Sequence, residues 1–268
     1  LGTNATAAGI VTINGSTGTD VINASAMTPA LTIIGGNGTN TITGGTSTDT
    51  ITGGTGTDTL EFTLDATTDA LVSGAAAKIT NFEKFLVKTD DAVTITLHDA
   101  TIASGKALTI DGTAMATQAL TVVGTAETNG ALTVLGGSGA DVITGTASSI
   151  GDTLNGNAGN DIFNFASANL TALDTIDGGA GTNRITVTQD ATTALANVTN
   201  IQELGTNVAD VGDGTTATIS GTVASSITNF VVNVGSGTDN DDATVAVTTL
   251  DTGDTITVLA AGGDSTSV

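Results

Sequence analysis

Apolar side chains recur on every second residue in short bursts, and each burst stops at glycine, asparagine or aspartate. The stretches "ALTIDG" (Ala107–Gly112), "ALTVVG" (Ala119–Gly124) and "ALTVLGG" (Ala131–Gly137) carry Leu, Ile or Val on alternate positions and end on Gly. A period of two puts the large side chains of a segment on one face, the mark of a half-buried strand, and the glycines punctuate its ends. The bursts return roughly every dozen residues, the spacing of stacked coils or of a β-sandwich. Helical periodicity is almost absent. The best helical candidate is "SGAAAKITNFEKFLV" at Ser73–Val87, and within it Ile79–Phe82 reads as strand or turn. The predicted class is all-β.

A second beat of nine residues overlies the first. The form is G-G-x-G-x-D-x-U-x, with U a large apolar residue. Gly53–Glu61 and Gly136–Thr144 fit it at every fixed position. Gly44–Thr52 has Ser47 for the third Gly, Gly15–Asn23 has Ser16 for the second, and Gly156–Asn164 has Asn157 there. Gly35–Thr43 and Gly178–Thr186 carry Asn40 and Asn183 where Asp belongs. Between Gly145 and Asn155 the unit is stretched by two residues, with Asp152 in the Asp role. Such units open at Gly35 and again at Gly136. They are followed by the phrases "ITNFEKFLV" (Ile79–Val87) and "VTNIQELGT" (Val198–Thr206), with a third partial copy, "ITNFVVNVG", at Ile227–Gly235. This order predicts two modules, residues 1–130 and 131–268.

One nine-residue unit is a tight loop plus a short strand, so two units make one coil of a parallel β-helix, with U facing a thin core. The glycines admit backbone angles that other residues resist and let loop carbonyls turn toward a common point. Hard oxygen ligands of that kind suit calcium, which takes about six to eight of them and tolerates irregular geometry. Successive units face opposite edges, so each loop is expected to share an ion with the loop two units on. Loop 35–40 then pairs with 53–58, placing calcium between Asn40 and Asp58. Loop 136–141 pairs with 156–161, placing a tighter ion between Asp141 and Asp161. The expected ligand set is Asp20, Asn40, Asp49, Asp58, Asp141, Asp152, Asp161, Asp177 and Asn183, with loop carbonyls at Gly36, Gly38, Gly54, Gly56, Gly137, Gly139, Gly159, Gly179 and Gly181. Asp65 and Asp174 are further contributors. Asp49 and Asp152 require partners across the other edge.

Composition sharpens this picture. Five Lys and Arg stand against 27 Asp and Glu in 268 residues, a formal charge of −22. That excludes a nucleic-acid surface, which needs basic residues to meet phosphates, and argues against anionic membranes. So acidic a chain repels itself when compact unless cations neutralise part of the charge. There is no Cys, hence no disulfide framework or thiolate chemistry. No apolar run approaches the ~18 residues of a membrane helix. The chain opens on "LGTNATAAGI", without an initiator Met or signal pattern, and stops mid-pattern at "GGDSTSV", which reads as a piece of a larger protein.

The nonapeptides resemble those of the RTX (repeats-in-toxin) proteins, whose β-rolls bind calcium. The stretches between them resemble the strand-rich modules of RTX-type bacterial surface-layer and surface-assembly proteins. The likeness implies an extracellular or cell-surface home, one-step type I secretion from a Gram-negative bacterium, and folding on meeting external calcium. It departs from toxin-type rolls in its short runs of units and in Asn for Asp. The expected architecture is a calcium-stapled parallel β-roll with additional strand-rich coils, or one continuous solenoid.

Other features have plainer readings. "GGSGAD" and "GGNGTN" are not dinucleotide loops, since no helix follows. Asp239-Asn240-Asp241-Asp242 lacks the Gly and closing Glu spacing of an EF-hand and reads as a solvated acidic loop. His98 beside Asp99 reads as a surface residue, without a partner for base catalysis. Glu83 and Glu203, at equivalent places of the two phrases, read as a repeated turn element. Phe82, Phe85, Phe163 and Phe165 read as core plugs. The Thr ranks around Asn40, Asp49 and Asp58 are too few for an ice-binding face. The expected function is a non-enzymatic structural module that binds Ca2+ and self-assembles into a surface layer, sheath or filament as a homopolymer. An RTX adhesin or biofilm protein binding a cell or a cell-surface polysaccharide is the alternative, and the carrier portion of a secreted hydrolase the third.

Overall fold

Alternating apolar residues become strands that pair with the strand two places on. The computed structural model describes residues 8–27, 29–44, 49–63, 78–188, 195, 197–208, 216–219, 227–234, 243–247, 253–260 and 266–267. Among these, a four-stranded sheet runs from Thr12–Asn14 to Ile79–Thr80, and a nine-stranded sheet from Val21–Asn23 to Val198–Thr199. An eight-stranded sheet runs from Val93–Thr96 to Thr255–Ala260. Three strands, Thr216–Ile219, Ala243–Val247 and Thr266–Ser267, form the fourth sheet. Neighbours are parallel throughout, as Thr41–Thr43 against Thr59–Phe62 illustrates. Consecutive strands alternate between sheets, so the chain winds as a β-solenoid of the β-roll kind. The one helical element among the described residues is a 3-10 turn at Ser167–Asn169.

The U residues stack in register and form the core. In the nine-stranded sheet Ile42 pairs with Leu60, Leu60 with Phe85, and Phe85 with Ile110, all 0% exposed. In the eight-stranded sheet Ile143, Phe163, Ile185 and Leu204 form the matching column. Parallel stacking of similar coils brings like side chains over one another, and the longer strands add a second inward residue, as Leu108 with Ile110 and Phe163 with Phe165 do. Phe82, Phe85, Phe163 and Phe165 are all buried, as their patterning predicts, and Phe62 and Phe230 join them.

Coil length departs from the ideal. Thr32 pairs with Thr50 and Thr41 with Thr59, two nonapeptides apart. Longer coils follow, and strand pairing continues through residue 130, where Ala107–Asp111 joins Ala131–Leu135 along five residues. The described part of the helical candidate is extended instead: Ile79–Thr80 and Lys84–Val87 are strands. Their alternate residues Ile79, Phe85 and Val87 enter the core, and the tertiary stack overrides the helix propensity of Lys84 and Leu86.

The two phrases also align differently from the expectation. Glu83 corresponds to Gln202, not to Glu203: each follows an Asn with positive φ (Asn81, 56°; Asn200, 54°) and a buried Phe82 or Ile201. The third copy is out of register. Phe230 pairs with Leu204, so Asn229 lies within a strand and Phe230 takes the place that Phe85 has in the first copy.

Candidate metal centre

The sixth residue of each loop turns inward and offers an oxygen to the coil before it. Asn40 Oδ1 accepts from the Asp20 N–H (3.0 Å), Asp58 Oδ1 from the Asn40 N–H (2.9 Å), and Glu83 Oε2 from the Asp58 N–H (2.7 Å). In the second group Asp141 Oδ1 accepts from the Leu120 N–H (2.7 Å), Asp161 Oδ1 from the Asp141 N–H (2.8 Å), and Asn183 Oδ1 from the Asp161 N–H (2.9 Å). Gln202 Oε1 ends this row, accepting from the Asn183 N–H (2.7 Å). Asp and Asn recur because their acceptors reach a backbone N–H one strand spacing away, ~4.8 Å. The phrases close each row with a longer Glu or Gln.

The second polar atom of each sixth residue decides the chemistry. It sits over the first glycine of its loop, close to a carbonyl of the next coil. A Cβ on Gly53 would overlap the Asn81 carbonyl oxygen and come 2.9 Å from Asp58 Oδ2. A Cβ on Gly156 would overlap Asp161 Oδ2 and come 2.9 Å from the Gly178 carbonyl oxygen. Only glycine leaves this cradle open. In two loops a main-chain donor fills it: Ser16 N–H bonds Asp20 Oδ2 (2.5 Å) and Gly137 N–H bonds Asp141 Oδ2 (2.8 Å). In loops 53–58 and 156–161 nothing does. Asp58 Oδ2 and Asp161 Oδ2 are buried without a hydrogen-bond partner.

The backbone explains the difference. Residues two and four have positive φ in loop 53–58 (Gly54, 115°; Gly56, 132°) and in loop 156–161 (Asn157, 67°; Gly159, 128°). Left-handed residues on alternate positions turn the peptide groups over, and the Asn157 N–H bonds Asn155 Oδ1 (2.8 Å), away from Asp161. Neither Gly137 nor Gly139 has positive φ. Loop 136–141 matches the motif completely, yet it lies on the non-repeat turn after Gly112, where Ser138 N–H bonds the Met115 carbonyl (2.8 Å). Of the expected Asp141–Asp161 pair, only Asp161 therefore keeps an open oxygen. Of the Asn40–Asp58 pair, only Asp58 does.

A buried, orphaned carboxylate oxygen beside a carbonyl oxygen calls for a cation. The donor set is oxygen only, as calcium requires. Among the described residues no three His, Cys, Asp or Glu side chains converge. The groups that would hold an ion are the Asp58 and Asp161 carboxylates together with loop carbonyls such as those of Asn81 and Gly178. When bound, calcium supplies the positive charge that lets these acceptors share one space.

The remaining candidates serve as caps. Asp49 Oδ1 accepts from the Leu31 N–H (2.7 Å). Asp152 accepts from Leu132 and Thr146, and its own N–H bonds Asp174 Oδ1 (2.7 Å), which supplies the cross-coil partner the sequence did not name. Asp177 Oδ1 accepts from the Gly179 N–H in its own turn and from the Asn200 amide of the next coil. Asp65 and the 239–242 cluster lie outside the described residues. The loops also divide between edges. Loops 35–40 and 53–58 lead into the nine-stranded sheet, whereas 136–141, 156–161 and 178–183 lead out of it. In a parallel sheet those are opposite edges.

Burial holds Asp141, Asp152 and Asp161 above the usual carboxyl range. Asp161 is pushed up to about 7, by burial first and then by Asp141; Asp152 is pushed to about 6 by burial; Asp141 is raised by burial. Outside the repeats Asp90 and Asp99 are lowered, chiefly by hydrogen bonds from Thr117 and Thr128. A raised folded-state carboxyl means that the folded protein binds more protons than the unfolded chain between pH ~4 and ~7, so stability falls as pH rises through that window. Calcium-free protein, freed of metal by ion exchange, is expected to melt at a higher temperature at pH 5 than at pH 8. Equal or reversed melting temperatures would show that these carboxyls are not strained in the metal-free fold.

The family model for the RTX calcium-binding nonapeptide repeat, in four copies, matches residues 32–62, 135–169 and 173–191. These segments contain the stacked loops and both open carboxylate oxygens. No curated protein and no solved structure matches the chain. The nine-residue units of these segments are thus RTX calcium-binding nonapeptide repeats.

Proposed function

We propose that the chain is a non-catalytic structural module of a secreted, cell-surface protein, stapled by calcium and assembling with copies of itself into a layer, sheath or filament. The observation that carries this reading is the burial of the cradles: Asp58 is 0% and Asp161 1% exposed. An ion held there joins coils and meets no substrate. The one histidine, His98, accepts the Ala100 N–H at Nδ1 (3.2 Å), a local turn contact. Polar columns such as Thr109, Thr133, Thr153 and Thr175, aligned strand over strand, offer a repeating face for lateral contact between copies or with a surface polysaccharide. Export of the unfolded chain by a type I system, with folding where calcium is plentiful, fits a fold that depends on an ion.

Calcium titration of metal-free protein, followed together by light scattering, circular dichroism and negative-stain microscopy, tests the proposal. Ordered assemblies appearing in the calcium range that restores β-structure are the expected result. A folded monomer at every calcium concentration overturns self-assembly, and if that monomer binds cells or polysaccharide the adhesin reading replaces it.

A further inference from the structure

Two loops solve the cradle without an ion. Asn183 Nδ2 lies over Gly178 and donates to the Asn200 carbonyl (3.0 Å) and, more weakly, to the Gly179 carbonyl (3.4 Å). The Asn200 carbonyl stands where Asn81 and Gly178 stand in the loops with an open carboxylate: a Cβ on Gly178 would overlap its oxygen and come 2.6 Å from Asn183 Nδ2. Loop 35–40 places its amide at the same position over the first glycine but gives it another acceptor, the Asp58 carboxylate. A Cβ on Gly35 would overlap the Gly53 carbonyl and come 3.1 Å from Asn40 Nδ2, which donates to Asp58 Oδ1 (2.9 Å). Both loops have the left-handed pair, Gly36 and Gly38 (96° and 101°) and Gly179 and Gly181 (74° and 123°). They differ from loops 53–58 and 156–161 in one atom: an N–H donor replaces a carboxylate oxygen.

We propose that the side-chain amides of Asn40 and Asn183 occupy the cation's place in their own loops, so that the sixth residue decides, coil by coil, whether the roll needs calcium. The inference rests on the reading of Asp58 and Asp161 as calcium ligands. It follows from elementary electrostatics. Two acceptors facing one another in a buried cradle repel, whereas an amide facing the same carbonyl makes an ordinary hydrogen bond. Asn at this position is a built-in donor that keeps a coil closed when calcium is scarce. The roll then mixes coils locked by a side-chain hydrogen bond with coils locked by an ion, and the pattern of Asn and Asp sets both the ion count and the calcium concentration at which stacking completes.

The test uses the full chain and a pair of reciprocal variants, Asn183→Asp and Asp161→Asn. Calcium stoichiometry is read by equilibrium dialysis, and thermal stability is read with and without chelator. Asn183→Asp is expected to bind one ion more per chain than the parent and to melt earlier in chelator. Asp161→Asn is expected to bind one fewer and to melt later in chelator. Unchanged stoichiometry in a folded Asn183→Asp protein, with a parent that does bind calcium, overturns this inference and leaves the calcium ligands standing. A parent that binds no calcium overturns that reading instead. The chelator melt of Asp161→Asn still judges the amide, because an unchanged or lower melting temperature would show that a donor gains nothing in the cradle. If Asn183→Asp does not fold in either condition, the Asp161→Asn pair of readouts decides alone.

Discussion

Removing calcium is expected to lower the melting temperature of the repeat coils steeply and to weaken their sheet signal, and returning it to restore both. Asp58 Oδ2 and Asp161 Oδ2 are buried, without donors and close to carbonyl oxygens. A buried carboxylate without compensation costs several kcal/mol. Each bound ion, at about a thousandfold excess over its Kd, adds roughly 4 kcal/mol to the folded state, so two add about 8 kcal/mol. That is comparable to the whole stability of an ordinary domain, about 5–15 kcal/mol. The core is narrow, one or two inward apolar residues per strand, such as Leu108 with Ile110 and Leu132 with Val134, and the formal charge of −22 opposes compaction. The ion pairs Lys84–Asp111, Lys88–Glu61 and Arg184–Glu203 are partly exposed and worth little. The measurement is far-ultraviolet circular dichroism with thermal melting, in excess chelator and after calcium or magnesium is added back. Magnesium, which demands octahedral geometry and gives up water reluctantly, is expected to rescue poorly. An unchanged sheet signal and melting temperature in chelator would overturn the ionic staple.

What the sequence disclosed and what it concealed divide along physical lines. The nine-residue beat predicted that loop 35–40 stacks on 53–58 and 136–141 on 156–161, and that the U residues Ile42, Leu60, Ile143 and Phe163 line the core. Both follow from local periodicity, and the stack preserves them. The state of each second carboxylate oxygen was not legible, because it depends on the φ of residue two and hence on the coil beneath. Loop 136–141 is the more perfect string and Gly156–Asn164 the less, yet Asn157 adopts the left-handed angle and Gly137 does not. The division between edges was hidden as well, since it turns on how many strands separate the two groups. The first glycine of each unit was in plain view, and its place over the cradle was the signal that could have pointed to the open carboxylates. Aligning the phrases on their Asn would likewise have matched Glu83 with Gln202, the residues that close each row.

Phe85→Ala is expected to destabilise the protein by about 3–5 kcal/mol, the usual cost of deleting a buried phenyl ring, and to do so even in saturating calcium. Phe85 is 0% exposed and lies in the strand Lys84–Val87, between Leu60 of the first repeat group and Ile110 of the coils that follow. Its ring meets Phe62 edge-on at 5.5 Å between centroids, and Phe82 at 6.1 Å. Three aromatic rings thus fill the interior where the first repeats hand over to coils without nonapeptides. Alanine leaves a void that neither neighbouring coil can close, because parallel pairing on both sides fixes the backbone. In a solenoid each coil contacts only its neighbours, so the damage spreads by interface and not through a global core. Hydrogen exchange in calcium should therefore show lost protection centred on Thr59–Phe62 and Ala107–Asp111, with the second repeat group less affected. Denaturant unfolding in saturating calcium gives the magnitude. A loss below ~1 kcal/mol there would mean that the aromatic plug is dispensable and that the ions alone hold this junction. A loss of the expected size assigns the "ITNFEKFLV" phrase two jobs: Glu83 closes the ladder of side-chain oxygens, and Phe82 with Phe85 plugs the core beneath it.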